Sequence, residues 1–453
     1  MTLPAPLELG WRGVPGISFL RDGPTGVRVG TGEAPPLALQ LPSPALADAL
    51  AHIRSGVAEA DLCARLDPTE LARFHYTVER LVAAGLVALD ILHRGRRLAT
   101  LIPRRRDFAL PTRNPVAGAE LTLSRFAYLR RIDAELVLAA PDATCEVVLI
   151  DRHARAWVAD CVHPQRLDGI TEVERSAFLQ LLHGIGLLEL DGTVESDATR
   201  TWEFHDRLFH RAARSYDDHI VRGGTYRFRG TLASPPAVRD AYRGPVRTLQ
   251  RPTRRVAALS LATVMEVRRS TRAMAGEPVS IEDVGELLFR VARTSEMSDG
   301  ADPLIRRPYP SGGARHELEF YLAVGSCRDL EPGFYHYRGN EHTLVDLGAP
   351  EASRAMLDDC AIAWGQPNLP PQVLVAISSR LPRLAWKYQR IAYKMSLLNA
   401  GAVIANLYLV ATDMGLAGSA AGSGNPELFA AATGADSWAE TSIAEFGFGR
   451  AGA

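Results

Sequence analysis

The stretch Tyr309-Pro310-Ser311-Gly312-Gly313-Ala314-Arg315-His316 runs into Leu318-Glu319-Phe320-Tyr321-Leu322-Ala323-Val324. The first part reads as a turn. Two adjacent glycines after Pro-Ser let the backbone come close to a flat ligand and point N–H groups at it. The second part alternates Leu, Phe, Leu and Val with Glu, Tyr and Ala, the period of a strand. The neighbours on both sides make this part of the chain α+β. Upstream, Ser280-Ile281-Glu282-Asp283 is a capping box, and Ile281, Val284, Leu287, Leu288 and Val291 follow at helical spacing. Downstream, Phe334–Tyr337 and Thr343–Asp346 flank Arg338-Gly339-Asn340, a hairpin signal, and Val373–Ile377 is a buried strand. Residues 384–414 then predict one long helix rich in Ala and Leu.

The first 200 residues carry a weak internal repeat. One copy opens Ile17-Ser18-Phe19-Leu20-Arg21 and closes at Gly85-Leu86-Val87-Ala88-Leu89-Asp90. The other opens Phe126-Ala127-Tyr128-Leu129-Arg130 and closes at Gly186-Leu187-Leu188-Glu189-Leu190-Asp191. Both endings read as a helix, a left-handed glycine and a short strand. Two small winged-helix-like α+β modules fit this pattern, over residues 1–110 and 111–200. Between them lies a basic connector with Arg94, Arg96, Arg97, Arg104, Arg105 and Arg106. Residues 201–255 read as an ordered linker, and 256–453 as the C-terminal domain.

Composition narrows the function. The 453 residues hold 51 basic and 52 acidic side chains, a net charge of −1, which argues against nucleic-acid binding. No uninterrupted apolar run reaches the ~18 residues that span a bilayer, and no secretory signal opens the chain. Five scattered cysteines without a CxxC pattern suit a reducing cytoplasm. No metal-ligand spacing is present: His205 and His210 are five apart, and His316-Glu317 lacks the second His of a zincin motif.

The basic residues are skewed. All are Arg except Lys387 and Lys394. Where Arg serves for every ordinary positive charge, a lysine points to a need for an amine that can release its proton. Lys387 is followed by Tyr388, with which it can share that proton. On a continuous helix, Lys387, Ile391 and Lys394 would share one face. A second cluster, Arg268-Arg269-Ser270-Thr271-Arg272, puts guanidinium groups on either side of a hydroxyl, a set that suits an anion. In a chain so rich in Arg the arginine cluster by itself reads first as a solvated patch, whereas the scarcity of lysine counts against a plain solvent-facing turn at Lys387.

Taken together, these segments resemble the nitroreductase-like FMN oxidoreductases, and within them the SagB-type or McbC-like azoline dehydrogenases. The resemblance covers about residues 255–450. It rests on Arg268–Arg272, on Tyr309–His316, on Glu331-Pro332-Gly333-Phe334-Tyr335-His336-Tyr337, on Lys387-Tyr388 and on Asn399-Ala400-Gly401. It implies a central, mainly antiparallel sheet flanked by helices, in a homodimer with FMN at the subunit interface. Arg268, Arg269, Ser270, Arg272 and Arg450 would hold the FMN phosphate, and Pro310, Ser311, Gly312 and Gly313 would line the isoalloxazine. Lys387 and Tyr388 match the catalytic pair. The implied reaction oxidises thiazoline or oxazoline rings of a ribosomally made peptide to thiazole or oxazole, after a cyclodehydratase has made the rings. The N-terminal modules look like peptide-recognition domains. Two alternatives stay open: a flavin oxidoreductase acting on another small molecule, and a peptide-binding scaffold with a vestigial flavin domain.

Overall fold

The computed structural model describes residues 3–30, 36–111, 118–214, 219, 223–252, 259–298 and 303–452. The chain forms two compact units, Met1–Arg222 and Gly223–Ala453. The stretch expected as a linker is therefore divided between them, and the expected start of the C-terminal domain at residue 256 lies outside the described residues.

In the first unit the repeat is visible strand by strand. The first copy runs β1 (Glu8–Gly13), β2 (Ser18–Arg21), β3 (Gly26–Gly30), β4 (Leu37–Gln40), α1 (Pro44–His52), β5 (Val57–Ala58), α2 (Glu59–Cys63), α3 (Pro68–Ala83) and β6 (Val87–His93). The connector forms β7 (Arg96–Pro103). The second copy runs β8 (Glu120–Leu123), β9 (Tyr128–Ile132), β10 (Glu135–Ala139), β11 (Cys145–Leu149), α4 (Arg152–Asp160), β12 (Gln165–Arg166), α5 (Val173–Gly184) and β13 (Leu188–Leu190). Two short helices follow, α6 (Asp197–Arg200) and α7 (Phe204–Ala212).

Pairings repeat with the sequence. β1 lies between β5 and β6, as β8 lies between β12 and β13. The β2–β3–β4 meander corresponds to β9–β10–β11. The closing helices end alike. Gly85 and Gly186 take φ of 71° and 84°, and the next N–H reaches back to Leu81 O and Leu182 O, at 2.9 Å each. This is the Schellman closure that a left-handed glycine permits. The copies differ in their helices, since α2 has no α-helical counterpart in the second copy, and in how their strands are joined. β7 pairs with both β6 and β11, joining parts of both copies into a seven-stranded sheet, β5-β1-β6-β7-β11-β10-β9.

The second unit is built on the sheet β14-β21-β20-β18-β22-β24-β23, antiparallel throughout. In chain order its elements are β14 (Val246–Thr248), α8 (Leu261–Val267), β15 (Val279–Ser280), α9 (Ile281–Ala292), the short pair β16 (Glu296–Met297) and β17 (Ile305–Arg306), β18 (Leu318–Val324), β19 (Cys327–Arg328), β20 (Gly333–Arg338), β21 (Thr343–Asp346) and α10 (Pro350–Ala363). Then come β22 (Val373–Ser379), α11 (Leu381–Ala385), α12 (Ala392–Asp413), β23 (Ala417–Ala421), α13 (Pro426–Thr433) and β24 (Thr441–Gly449). One face packs on α9 and α12 through Val284, Leu288, Val403 and Leu407, all buried. The other packs on α10 and α13 through Met356, Cys360 and Phe429. The sequence-predicted capping box closes at both ends: Asp283 N–H reaches Ser280 Oγ at 3.2 Å, and Ser280 N–H reaches Asp283 Oδ2 at 3.0 Å. Such a cap stabilises a helix by about 1 kcal/mol.

The long helix expected over residues 384–414 is two helices. Between α11 and α12, Arg390 takes a φ of 62°. The cause lies at Lys387. In a continuous helix its carbonyl would accept the Ile391 N–H. Here it accepts the N–H groups of Thr225 and Tyr226, at 2.9 and 3.2 Å, and Ile391 N–H turns to Gln389 O. Lys387 and Lys394 therefore do not share a helix face. α12 itself is long and apolar enough to cross a membrane by length and composition, yet it packs on α9, α11, β23 and β24.

Candidate active site

The Pro-Ser-Gly-Gly turn is held from beneath. Ser311 Oγ donates to Glu317 Oε2 at 3.2 Å and accepts the His316 N–H at 2.9 Å. Asn399, on α12, donates to Glu317 Oε1 at 3.0 Å. Glu317 and Asn399 are both buried. A buried carboxylate has to be met by donors, and these two side chains supply them. Burial and the charges of Arg307 and Arg383 bring the His316 imidazole down to about 4. His316 is therefore a neutral brace at neutral pH.

Gly313 is the point of convergence. Its φ is 64°, a left-handed conformation that favours glycine. A Cβ there would strike Tyr388 Oη and lie 2.7 Å from Lys387 Nζ. The turn expected to face a flavin ring and the expected catalytic pair thus meet at one glycine. At Gly312 a Cβ would strike Met395 Cε, so α12 closes the other side of the turn. Lys387 and Tyr388 are half-buried, which leaves both reachable by a reacting partner.

The second cluster sits at the end of α8. The Arg268 guanidinium lies over the Tyr408 ring, 5.2 Å from its centroid. Ser270 Oγ is 3.0 Å from Tyr408 Oη, which also accepts the Ala420 N–H at 2.9 Å. Burial alone would raise the Tyr408 hydroxyl. The hydrogen bonds from Ser270, Ala420 and Ser419, with the charge of Arg268, outweigh it and the net direction is down. Arg269 turns back onto the carbonyls of Glu266 and Arg268, and Arg272 is exposed. Thr271 N–H binds Gly418 O at 3.0 Å, and Gly276 N–H binds Arg450 O at 3.1 Å, so both ends of this segment are tied to the C-terminal strands. The Arg450 side chain reaches Asp283 Oδ2 at 2.6 Å. Arg269, Ser270 and Arg272 are exposed and Arg268 is half-buried over Tyr408, while Arg269 and Arg450 give guanidinium donors to Glu266 O, Arg268 O and Asp283.

Glu317, Asn399, Met395 and Tyr408 complete the site without having been singled out as site residues from sequence. Asn399 had entered only through the segment Asn399-Ala400-Gly401 on which the resemblance rests, and it is also a lone amide in the apolar run Leu397-Leu398-Asn399-Ala400. Their register on α12 is informative. Met395 and Asn399 lie within about 40° of each other around the helix, and Tyr408 lies about 180° from Asn399. One chain therefore offers the Gly-Gly turn on one side of α12 and the arginine cluster on the other.

Residues 265–450 match the nitroreductase family, and residues 121–218 match the cyanobactin oxidase ThcOx. The C-terminal unit is therefore a nitroreductase-family oxidoreductase, a class whose members typically hold a flavin. The cyanobactin oxidase match lies in the first unit and the nitroreductase match in the second. The trifolitoxin-processing protein TfxB of Rhizobium leguminosarum bv. trifolii is 30% identical over 115 residues, 25% of this chain and 31% of that protein. A protein of Methanocaldococcus jannaschii named as a nitroreductase is 27% identical over 162 residues, 35% of this chain and 76% of its own length. This chain thus aligns with about a third of the trifolitoxin-processing protein. The E. coli microcin synthetase McbBCD complex, solved with truncated pro-MccB17 bound, is 20% identical. That likeness covers 50% of this chain and 91% of the other, at a TM-score of 0.36, too slight to bear on function.

Proposed function

We propose that this protein oxidises thiazoline or oxazoline rings in a ribosomally made peptide to thiazole or oxazole, using FMN held between the subunits of a homodimer. The observation that carries the reading is the meeting of Lys387 Nζ and Tyr388 Oη over Gly313. The residues suit FMN. The Gly312-Gly313 turn brings Lys387 and Tyr388 against the edge where the ring is expected, and Arg268, Ser270 and Arg272 suit a phosphate. Because turn and cluster lie on opposite sides of α12, a single flavin would be completed by two chains. Bound FMN supplies a two-electron acceptor that no side chain can replace.

The chain's own part is proton transfer and placement. Azoline oxidation removes a proton from the ring carbon next to the carbonyl and a hydride from its neighbour. The Lys387–Tyr388 pair takes the proton, and the gain in aromaticity drives the step forward. Glu317 and Asn399 hold the turn so that the ring and its acceptor stay face to face, which is where orientation lowers the barrier.

The N-terminal unit suits peptide capture by strand addition. Among the described residues β4 pairs only with β3, whereas its counterpart β11 is already taken by β7. The first copy therefore keeps an open edge, and the second fills its own from within the chain. A captured leader would raise the local concentration of the rings to be oxidised. A cyclodehydratase would supply those rings, and the free cysteines fit a reducing cytoplasm. The test is FMN-loaded protein mixed with an azoline-bearing peptide. Loss of two hydrogens per ring supports the reading. Reduction of small nitro or quinone compounds by NAD(P)H, with the peptide unchanged, refutes it.

A further inference from the structure

Residues 223–242 cross the Lys387–Tyr388 turn as a strap. Buried side chains pin its backbone: Arg383 donates to Pro235 O and Arg380 to Pro236 O, both at 2.7 Å, and Trp386 Nε1 donates to Leu232 O at 2.9 Å. At the turn, Gly224 bridges Tyr388, and the N–H groups of Thr225 and Tyr226 take the Lys387 carbonyl. These are the bonds that interrupt the helix and free Lys387 from it.

Tyr226 stands out on this strap. Its φ is 50°, a conformation that a bulky residue adopts only where its surroundings enforce it. Its ring meets Trp386 edge to face, with centroids 5.7 Å apart, and carries the Arg229 guanidinium at 4.4 Å. Lys387 Nζ lies 5.6 Å from the Tyr226 ring centroid and 5.4 Å from that of Tyr388. Both are within the range in which an aromatic face attracts an ammonium. The amine is therefore held near two rings, and the same arrangement sets it beside Gly313.

We propose that Tyr226 is a positioning residue for Lys387, holding the lysine by its ring face and by its backbone N–H, and that residues 223–242 belong to the active site. The proposal rests on the reading of Lys387 as the proton acceptor. Tyr226 touches no reacting atom in this account. It acts by fixing where the amine stands.

The test uses the scarcity of lysine. Trace acylation of the full-length, FMN-loaded protein, read by peptide mass spectrometry, compares Lys387 with Lys394 as an internal standard. Tyr226→Leu removes the ring face and raises the Lys387-to-Lys394 labelling ratio about fivefold, on the scale of a cation–π contact. Tyr226→Phe keeps the ring and stays near the wild-type ratio. In azoline turnover, Tyr226→Leu lowers kcat about tenfold with KM and bound flavin little changed, and Tyr226→Phe restores most of it. If Tyr226→Leu is not recovered folded, Tyr226→Met serves in its place. An unchanged labelling ratio in the Leu and Met variants overturns the proposal, and so does a Phe variant that behaves like Leu. If wild type oxidises no azoline while the labelling ratio still responds, the assigned reaction fails and the positioning role stands.

Discussion

Gly313 carries the site, because its missing side chain is the space that Lys387 and Tyr388 occupy. Gly313→Ala meets two penalties. A left-handed φ costs a non-glycine residue about 1–2 kcal/mol, and the new methyl displaces both of the proposed catalytic groups. Turnover should fall about 100-fold, the loss that a misplacement near 1 Å can cause. The protein should still fold and bind flavin, as steady-state kinetics and absorbance would show. Gly312→Ala meets only the flexible end of Met395 and should cost less in the same assay. The glycine pair and the two lysines were legible in the sequence, because composition and the rarity of Lys mark them. Glu317 and Tyr226 were not. Each matters through a partner that the fold brings to it: Asn399 for the first and Lys387 for the second.

At the level of elements, strands and capped helices were readable from period and cap chemistry, since both are local. The break between α11 and α12 was not, because it depends on a strap from a remote part of the chain capturing the Lys387 carbonyl. The joining strand β7 was hidden too. It read as a basic connector, and only pairing with both β6 and β11 reveals it as sheet. That pairing yields a prediction. Leu41 N–H bonds Thr25 O, so in this antiparallel ladder the N–H groups of Ala38 and Gln40 face the open edge of β4. Ala38→Pro removes one of them and should weaken leader-peptide binding at least about tenfold, a loss of roughly 1.4 kcal/mol, with the thermal midpoint little changed. Fluorescence anisotropy with a labelled leader checks it. Undiminished binding would move the peptide away from β4.

For the whole molecule, the proposal that two chains share one flavin site makes a distinctive prediction. Lys387→Arg and Arg268→Ala should each be inactive alone. Mixed and allowed to exchange subunits, they should regain activity, since a hybrid dimer holds one intact turn facing one intact arginine cluster. No recovery would mean that each chain completes its own site. The pH dependence of stability is also set globally. Glu445 is buried, and desolvation with Asp359 nearby raises its carboxyl to about 7. From about pH 4.5 to 7 the unfolded chain releases this proton while the folded chain keeps it, so stability falls as pH rises, by at most about 3 kcal/mol. Glu445→Gln should raise the melting temperature near pH 8 and leave it almost unchanged near pH 4. His316 works in the opposite sense. Its lowered value makes stability fall as pH drops from about 6.5 to about 4. The central claim is that Lys387 is the proton acceptor in azoline oxidation. Anaerobic mixing of FMN-loaded protein with an azoline-bearing peptide tests it most directly. The wild type should bleach its yellow colour as the peptide loses two hydrogens, and Lys387→Arg should stay yellow with the peptide unchanged, because Arg keeps the charge but cannot take the proton. Bleaching of Lys387→Arg at the wild-type rate would contradict the account.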